Sequence, residues 1–357
     1  MIILDDIFKE AVKQKASDIH LVHGQSAIFR IDRKLQKIKN WPDFDSEAIF
    51  GLVSQILSRK QKVELFENRG LDFSYDIRKV GRFRINLFWE KGNLALAART
   101  VWFEIPTIEE IGMPPIVHQL LKLNQGLILI TGPAGCGKST SLAAMVNYIN
   151  NTRDCHIITL EDPIEYIFLS RKSLIVQREL GKDFLSFADA LKQVVRQDPN
   201  VIVVGEMRDL ETISAAITLA ETGHLILATL HTANASQTID RIIDIFPPYQ
   251  QTQIKLQLSL TLRGIISQQL LPKISGGLIA AREVLINTPA VANLIRTSSI
   301  PQIRSSIQTG ASEGMFTMDQ DLKALYQKGI ISKENALAHA LYPEDVIKKD
   351  DLVFRND

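Results

Sequence analysis

The chain has 357 residues, 45% of them apolar and 23% charged, and a formal net charge of +1 at pH 7. This length suits two globular domains of ordinary size, and the composition excludes a collagen-like or intrinsically disordered protein. A net charge so close to zero gives no overall reason to expect nucleic acid or an anionic membrane as the main partner.

Membrane insertion and secretion are not expected either. The longest apolar runs, at residues 127–130 and 201–204, are far shorter than the ~20 residues that cross a bilayer. The first residues show no basic region followed by an apolar one, so they do not predict a secretory signal. Only Cys136 and Cys155 occur, outside any CxxC pair, which favours a reducing cytoplasm and no structural zinc.

The first part of the chain, residues 1–103, combines helical and strand patterns. Asp5 and Asp6 open a helix with one apolar face, because acids in the first turn favour a helix N-terminus. A second helix is predicted from about Asp45, with helical apolar spacing continuing to Leu57. Alternating apolar residues predict strands at 27–32, 71–77 and 83–89. These patterns indicate a small α+β domain with an antiparallel sheet.

Basic residues lie on one face of the predicted sheet. The alternation of one strand places Arg82, Arg84 and Asn86 opposite its apolar residues, and Arg99 lies near the end of the next predicted strand. A solvated charged face is ordinary for an antiparallel sheet. The pattern alone therefore leaves open whether these side chains meet a ligand.

The following segment, residues 104–115, contains three prolines and a glycine, which predicts an interdomain linker. The domain after it, residues 116–357, is organised around residues 126–150. An apolar, β-branched strand there leads directly into the motif Gly132-x-x-x-x-Gly137-Lys138-Ser139 and then into a helix. This is a P-loop in its required strand, loop and helix context.

Each residue type in this motif suits phosphate binding. The glycines let successive backbone N–H groups turn inward around phosphate oxygens at a helix N-terminus. Lys138 then reaches the β- and γ-phosphates, and the Ser139 hydroxyl can ligate Mg²⁺. A glycine-rich turn with a solvated lysine is the alternative, which the flanking strand and helix disfavour. We therefore expect ATP and Mg²⁺, with nucleotide bound by Gly132, Pro133, Ala134, Gly135, Cys136, Gly137, Lys138, Ser139 and Thr140.

A cysteine within the motif adds a second expectation. Cys136 lies beside Lys138 and near the N-terminus of the predicted helix, and both features lower the pKa of a thiol. We therefore predict a thiolate that a maleimide modifies and that bound ATP protects.

Carboxylates follow the next predicted strand, residues 155–160. Glu161 ends it, and Asp162 and Glu165 come close behind. At the C-terminal end of a strand in a P-loop domain, such acids face the edge where nucleotide binds. A polar turn is the alternative interpretation, since Asp-Pro is a common turn signal.

A second acid follows residues 201–204, whose continuous β-branched character predicts a buried parallel strand. Gly205 stands where P-loop proteins commonly carry an Asp that helps to hold Mg²⁺. Glu206 is therefore the only carboxylate directly after this strand. We expect it to act as the base, or on the metal through water.

Two histidines, His224 and His231, flank the predicted strand 225–230. A lone histidine is more often structural than catalytic, but two at the ends of one strand beside a nucleotide site leave both roles open. Farther on, residues 253–271 cannot be assigned from periodicity, although their length favours a helix. The tail is predicted to be helical, with a capping box at residues 317–320.

Four segments taken in order, residues 132–140, 160–165, 196–209 and 221–232, resemble the secretion ATPase superfamily of type II secretion and type IV pilus systems. They match its Walker A motif, Asp box, atypical Walker B motif and His box. Other parts of the chain resemble its N-terminal signatures and the C-terminal region of the pilus retraction branch, namely residues 16–20, 81–86 and 303–320.

The retraction branch is favoured over the assembly branch because the chain has no four-cysteine zinc motif and no long extra N-terminal domain. One motif of that branch differs here: Ala292 replaces an arginine and Thr297 replaces a glutamate. This departure leaves open whether the subunit is a main motor or an accessory paralogue.

The resemblance implies an α/β protein: a PAS-like α+β domain at residues 1–103, then a RecA-like P-loop ATPase domain with a helical C-terminal region. It implies a cytoplasmic homohexamer at the inner face of the membrane, associated with the membrane only through an inner-membrane pilus platform protein. ATP hydrolysis would drive ring motion, pilus retraction and twitching motility. The resemblance also implies site roles for Glu206, Glu161, His231, Arg84 and Arg99, the two arginines completing a neighbouring subunit's site.

Three other functions are alternatives to this expectation. An accessory or assembly ATPase of the same superfamily stays open. A RecA-like motor acting on nucleic acid would need a basic loop interleaved with aromatic residues, which the sequence lacks. A nucleotide sensor without turnover does not explain the acids at two strand ends.

Overall fold

A computed structural model describes residues 3–31, 34–39, 41–77, 80–101 and 105–346. The chain divides into two compact units, one made of Met1–Glu104 with Glu165–Ile167 and the other of Ile105–Ile164 with Phe168–Asp357. No helix in these described ranges is long and apolar enough to cross a membrane.

The first unit holds an antiparallel sheet covered by helices. Its helices are α1 (Leu4–Lys13), α2 (Ser46–Ser54) and α3 (Arg59–Asn68), and its strands are β1 (Asp18–Leu21), β2 (Ile28–Ile31), β3 (Lys34–Lys37), β4 (Gly70–Ile77), β5 (Gly81–Glu90) and β6 (Asn93–Val101). Over the described residues the sheet has the order β3-β2-β1-β6-β5-β4. The predicted α+β architecture and antiparallel sheet are confirmed.

Local patterns account for most of this unit. Phe8 of α1 is fully buried and stacks on Phe83 of β5, with ring centroids 4.3 Å apart. The Asp45 side chain caps α2 by accepting a hydrogen bond from the Ala48 N–H at 2.7 Å. The helix ends at Ser54, so the prediction that it continues to Leu57 is wrong, although Leu57 is still buried.

Helix α3 was not predicted because its sequence has little apolar periodicity. Among its residues only Leu65 is buried, so helical spacing gives a weak signal. The helix begins with a capping box in which Ser58 and Gln61 satisfy each other's backbone N–H groups.

The second unit is built on a larger, mostly parallel sheet. Its strands are β7 (Gly126–Thr131), β8 (His156–Glu161), β9 (Leu174–Glu179), β10 (Val201–Val204), β11 (Leu225–Leu230), β12 (Leu262–Pro272) and β13 (Leu278–Ile286). Its helices are α4 (Ile116–Leu120), α5 (Lys138–Thr152), α6 (Phe187–Val194), α7 (Leu210–Glu221), α8 (Ala235–Asp244), α9 (Pro248–Thr261), α10 (Pro289–Arg296), α11 (Ile303–Thr309), α12 (Met318–Gln327), α13 (Lys333–His339) and α14 (Pro343–Val346). In the described part of the chain the sheet order is β13-β12-β7-β11-β10-β8-β9, with only β12 and β13 paired antiparallel.

The centre of this sheet follows from continuous apolar runs. Every residue of β7, β10 and β11 is buried, as expected for parallel strands with both faces covered. Because neighbouring parallel strands end at the same edge, the segments after β7, β8, β10 and β11 converge there. Of the four segments singled out in the sequence, 132–140 and 160–165 begin at this edge, and 196–209 and 221–232 end there.

One helix prediction is half wrong. Residues 253–271 split into the end of α9 and a strand, β12, which begins at Leu262 and pairs with both β7 and β13. Buried strands lack the alternation that distinguishes them from buried helices, so periodicity could not separate the two parts. The capping box at Thr317 and Gln320 is confirmed at the start of α12.

Candidate nucleotide-binding site

The loop between β7 and α5 has the backbone conformation that its glycines predict. Gly132 has φ +143° and Gly137 has φ +88°, both in the region that side chains disfavour. A Cβ on Gly132 would overlap the carbonyl oxygen of Gln268 and lie 2.6 Å from Cys136 Sγ. The tip of the loop, Pro133 to Gly135, is exposed. The loop is thus shaped for a ligand at the N-terminus of α5.

Lys138 folds back over this loop. Its side chain is buried, and Nζ donates to the carbonyl oxygens of Gly132 at 2.7 Å and Pro133 at 3.0 Å. The same Nζ lies 3.3 Å from His231 Nδ1. The ammonium is therefore held at the mouth of the loop, where phosphate oxygens could replace the two carbonyls. This arrangement fits a bound nucleotide.

His231 joins Lys138 to Glu206. Its Nε2 lies 3.3 Å from Glu206 Oε1, while its Nδ1 faces Lys138. Because an ammonium has no acceptor, Lys138 donates to Nδ1, and Nε2 is the ring nitrogen that faces the carboxylate. The three residues form one chain of polar contacts that links the P-loop to the segments directly after β10 and β11.

The Glu206 carboxylate is held in its ionised form. Burial opposes the charge, but the hydrogen bond from Arg208 and the proximity of His231 outweigh burial, so the pKa of Glu206 lies below its ordinary value. Arg208 donates to Oε2 at 2.8 Å. A carboxylate of this kind can accept a hydrogen bond from water and orient it.

The other predicted residues of this edge differ in their surroundings. Glu161 ends β8, and its Oε1 accepts from Thr159 at 2.6 Å and Gln177 at 3.1 Å. His224 lies at the opposite end of β11 from His231, with Nδ1 3.1 Å from the Leu219 carbonyl oxygen. Of the two histidines, the structure brings only His231 into contact with Lys138 and Glu206.

The glycine that replaces the usual Asp lies close to the backbone of β8. A Cβ on Gly205 would lie 3.2 Å from the Leu160 carbonyl oxygen and 3.3 Å from Glu161 Cα. Gly205 N–H donates to that same carbonyl at 2.8 Å, and its own carbonyl accepts from Thr229. A Cβ at this position would therefore require the backbone of β8 to move by a few tenths of an ångström.

Sequence reasoning missed the residues behind the loop. Gln268 of β12 donates from Nε2 to the Cys136 carbonyl oxygen at 2.8 Å and accepts from Ser141 Oγ at 2.9 Å. Beside it, Ser267 Oγ lies 2.8 Å from Thr131 Oγ1. The signal was three consecutive polar residues, 267–269, between apolar ones, but it is informative only once β12 is recognised as a strand.

The predicted lowering of the thiol pKa of Cys136 is wrong. The residue is only 3% exposed, and burial raises the pKa of its thiol more than the neighbouring Lys138 and backbone N–H groups lower it. A helix N-terminus lowers the pKa of a nearby thiol, whereas burial raises it. The net pKa falls only when the effect of the helix is the larger of the two.

The two candidate arginines lie in the first unit. Arg84 of β5 and Arg99 of β6 are directly opposite each other across the antiparallel pair, and both are exposed. Arg99 Nε lies 3.1 Å from Asp18 Oδ1, and Arg84 Nε lies 4.0 Å from Asp72 Oδ1. The structure therefore brings the two guanidinium-bearing residues together, each beside an acid.

Comparison with known proteins decides the family. The sequence profile described as Type II/IV secretion system protein matches residues 1–338. The chain belongs to this family. It is 44% identical over 342 residues to the type IV pilus retraction ATPase PilT of Pseudomonas aeruginosa, covering 96% of this chain and 99% of that protein.

Two further comparisons agree with this family. A twitching motility protein of Neisseria gonorrhoeae is 43% identical over 339 residues, covering 93% of this chain and 90% of that protein. A crystal structure of the pilus retraction motor PilT with bound ADP has a TM-score of 0.91 and 47% identity, covering 97% of this chain and 99% of that one. The mixed α/β fold with two sheets is thus shared with a family member.

Proposed function

We propose that this protein is an ATPase that powers retraction of type IV pili. The observation that carries the proposal is the contact chain Lys138–His231–Glu206, which spans the P-loop and the ends of two adjacent parallel strands. Similarity to PilT over 96% of the chain supplies the biological setting. ATP hydrolysis would supply the work, and pilin withdrawal with twitching motility would be its outcome.

The residues of the site divide the chemistry among them. Lys138 and backbone N–H groups within residues 134–140 would hold the β- and γ-phosphates. Glu206, ionised by its surroundings, would orient water for in-line attack, and His231 would fix the direction of that carboxylate. Glu161, anchored by Thr159 and Gln177, would act beside Glu206 on water or metal. Mg²⁺, when bound, would neutralise phosphate charge and would be held by Ser139, with Glu206 acting through water.

The finer architecture is part of the proposal. We infer a PAS-like domain at residues 1–103, a linker at 104–115 and a RecA-like ATPase domain with a helical C-terminal region at 116–357. The protein would work as a cytoplasmic homohexamer at the inner face of the membrane. It would reach the membrane through a platform protein of the pilus machinery, and no nucleic acid would be involved.

Arg84 and Arg99 would complete the nucleotide site of a neighbouring subunit. Like charges directly opposite each other in a sheet are destabilising unless something neutralises them. Here Arg84 lies beside Asp72, which is exposed, and Arg99 lies beside Asp18, which is partly exposed. Both guanidinium groups remain exposed. A phosphate group is the anion that such a pair suits. An arginine acting in trans is worth about 10³–10⁵ in the rate of phosphoryl transfer.

Mixed rings test the trans arrangement. Arg84→Ala and Lys138→Ala subunits should each be nearly inactive alone, whereas a mixture should regain some hydrolysis. Certain interfaces would then combine an intact P-loop with an intact arginine. Mixed rings, identified by mass, that are no more active than their components would place the arginine in its own subunit's site or give it a structural role.

Purified protein tests the enzyme class. ATP turnover by wild type and its loss in Lys138→Ala are expected, and single-stranded DNA should leave the rate unchanged. Stimulation by DNA would favour a nucleic-acid motor instead. An accessory motor is a second candidate because Ala292 and Thr297, on and at the end of α10, differ from the retraction motif. In that case a partner ATPase would be needed for retraction.

A further inference from the structure

Two polar residues in the middle of β12 are buried directly behind the P-loop. Ser267 is 0% and Gln268 is 1% exposed. Burying a side-chain amide costs free energy unless both of its ends are hydrogen-bonded. For Gln268 both ends are satisfied, Nε2 by the Cys136 carbonyl oxygen at 2.8 Å and Oε1 by Ser141 Oγ at 2.9 Å. These opposite partners allow a single orientation of the amide.

The bond to Cys136 sets the direction of a backbone N–H in the loop. In a planar trans peptide, the carbonyl of one residue and the N–H of the next point in opposite directions. Since Gln268 draws the Cys136 carbonyl toward β12, the N–H of Gly137 is turned away from β12. Gly137 is the N-cap residue of α5, where N–H groups bind anions.

The same residue also contacts the beginning of the loop. The carbonyl oxygen of Gln268 lies so close to Gly132 that a Cβ there would overlap it. Through Ser141 the side chain is bonded to the first turn of α5. Gln268 therefore contacts the start of the loop, its end and the helix that follows.

We propose that Gln268 is a positioning residue that fixes the Cys136–Gly137 peptide and thereby presents the Gly137 N–H to nucleotide phosphates. This inference rests on the proposed nucleotide site and adds a residue to it. Because the N–H would contact phosphate in both bound substrate and transition state, Gln268 should affect nucleotide affinity and KM more than kcat.

The test compares neighbouring residues of one strand. Gln268→Leu removes the amide at similar size. Gln269→Leu is the matched control, since Gln269 lies next to it and its Oε1 contacts His339 Nδ1 at 2.8 Å instead of the loop. Ser141→Ala keeps Gln268 but removes the partner that orients it. Affinity for ATP and ADP is measured by equilibrium binding, and kcat and KM by steady-state hydrolysis.

The expected pattern is specific. Gln268→Leu should weaken ATP and ADP binding alike by about tenfold, the equivalent of one buried hydrogen bond, with kcat within about threefold of wild type. Gln269→Leu should bind both nucleotides as wild type does. Ser141→Ala should weaken binding in the same direction by a smaller factor, and the double variant should be no weaker than Gln268→Leu because the two residues act through one chain of bonds.

Several results would overturn the inference. Unchanged ADP affinity in folded Gln268→Leu protein would do so, as would equal losses in Gln268→Leu and Gln269→Leu. If Gln268→Leu does not fold, Ser141→Ala decides, and wild-type affinity in that variant would count against the proposal. Wild-type protein that binds neither nucleotide would contradict the proposed function itself, and this inference with it.

Discussion

Replacing Glu206 by glutamine removes one negative charge while keeping the size of the side chain and an acceptor oxygen. Because the carboxylate is expected to contact water and not phosphate, we predict that ATP affinity stays within about threefold of wild type. Turnover should fall by about 10²–10⁴-fold, the usual contribution of a positioned base. Steady-state hydrolysis at saturating ATP, with binding measured separately, distinguishes the two effects.

The structure predicts that this loss is not caused by unfolding. Glu206 pairs with Arg208, whose side chain is 69% exposed, and with His231, which is 43% exposed. Glu206 itself is 22% exposed, but ion pairs whose partners are this exposed contribute about 0–1 kcal/mol, so the midpoint of thermal unfolding should shift by roughly 2–4 °C at most. Glu211→Gln, an exposed change in the first turn of α7, is the control and should keep full activity. Glu206→Gln protein retaining more than about a tenth of wild-type turnover would refute the reasoning and move the base role to Glu161.

Three further predictions use other groups. Lys138→Ala should weaken ATP binding at least about tenfold, because a charged donor to phosphate is lost. Lys192→Ala, a change at an exposed residue, should leave ATP binding unchanged. Equal ATP binding by both variants, measured by calorimetry, would contradict the P-loop assignment. Cys136 should react with maleimide at least about tenfold more slowly in native than in unfolded protein, since burial keeps the thiol protonated and covered. Timed labelling followed by peptide mass mapping measures the two rates. Equal rates in native and unfolded protein would contradict the prediction. Buried Glu283, which accepts from the Ala235 N–H at 2.9 Å, has a pKa raised by burial above its ordinary 4.5. The folded state thus binds this proton more tightly than the unfolded state, so wild type should lose stability relative to Glu283→Gln as pH rises from 4.5 through the raised folded pKa. Urea unfolding at several pH values tests this, and a difference in unfolding free energy that is independent of pH would contradict it.

Much of the candidate site could be predicted because its parts are local. The P-loop is a continuous motif, and Glu206 and His231 directly follow apolar runs that could be recognised as strands. Parallel strands end at one edge, so these residues were expected to meet. What the sequence did not show was the order of contacts, with His231 between Lys138 and Glu206.

The missed features depend on contacts between distant parts of the chain. Gln268 matters because β12 pairs with β7, and the helix predicted at residues 253–271 obscured that pairing. The same strand covers Cys136, so the pKa of its thiol could not be judged from its position at a helix N-terminus. Alternation correctly placed Arg84 on an exposed face, but only the register of β5 with β6 places Arg99 directly opposite it.

The most direct test of the proposed function is made in cells that carry Glu206→Gln in place of the wild-type gene. At equal protein levels, surface pili are counted by electron microscopy and twitching is measured on agar. We predict more surface pili than in wild type and no twitching, because pili would assemble but not be withdrawn. Fewer pili than in wild type would contradict a retraction motor and indicate a role in assembly.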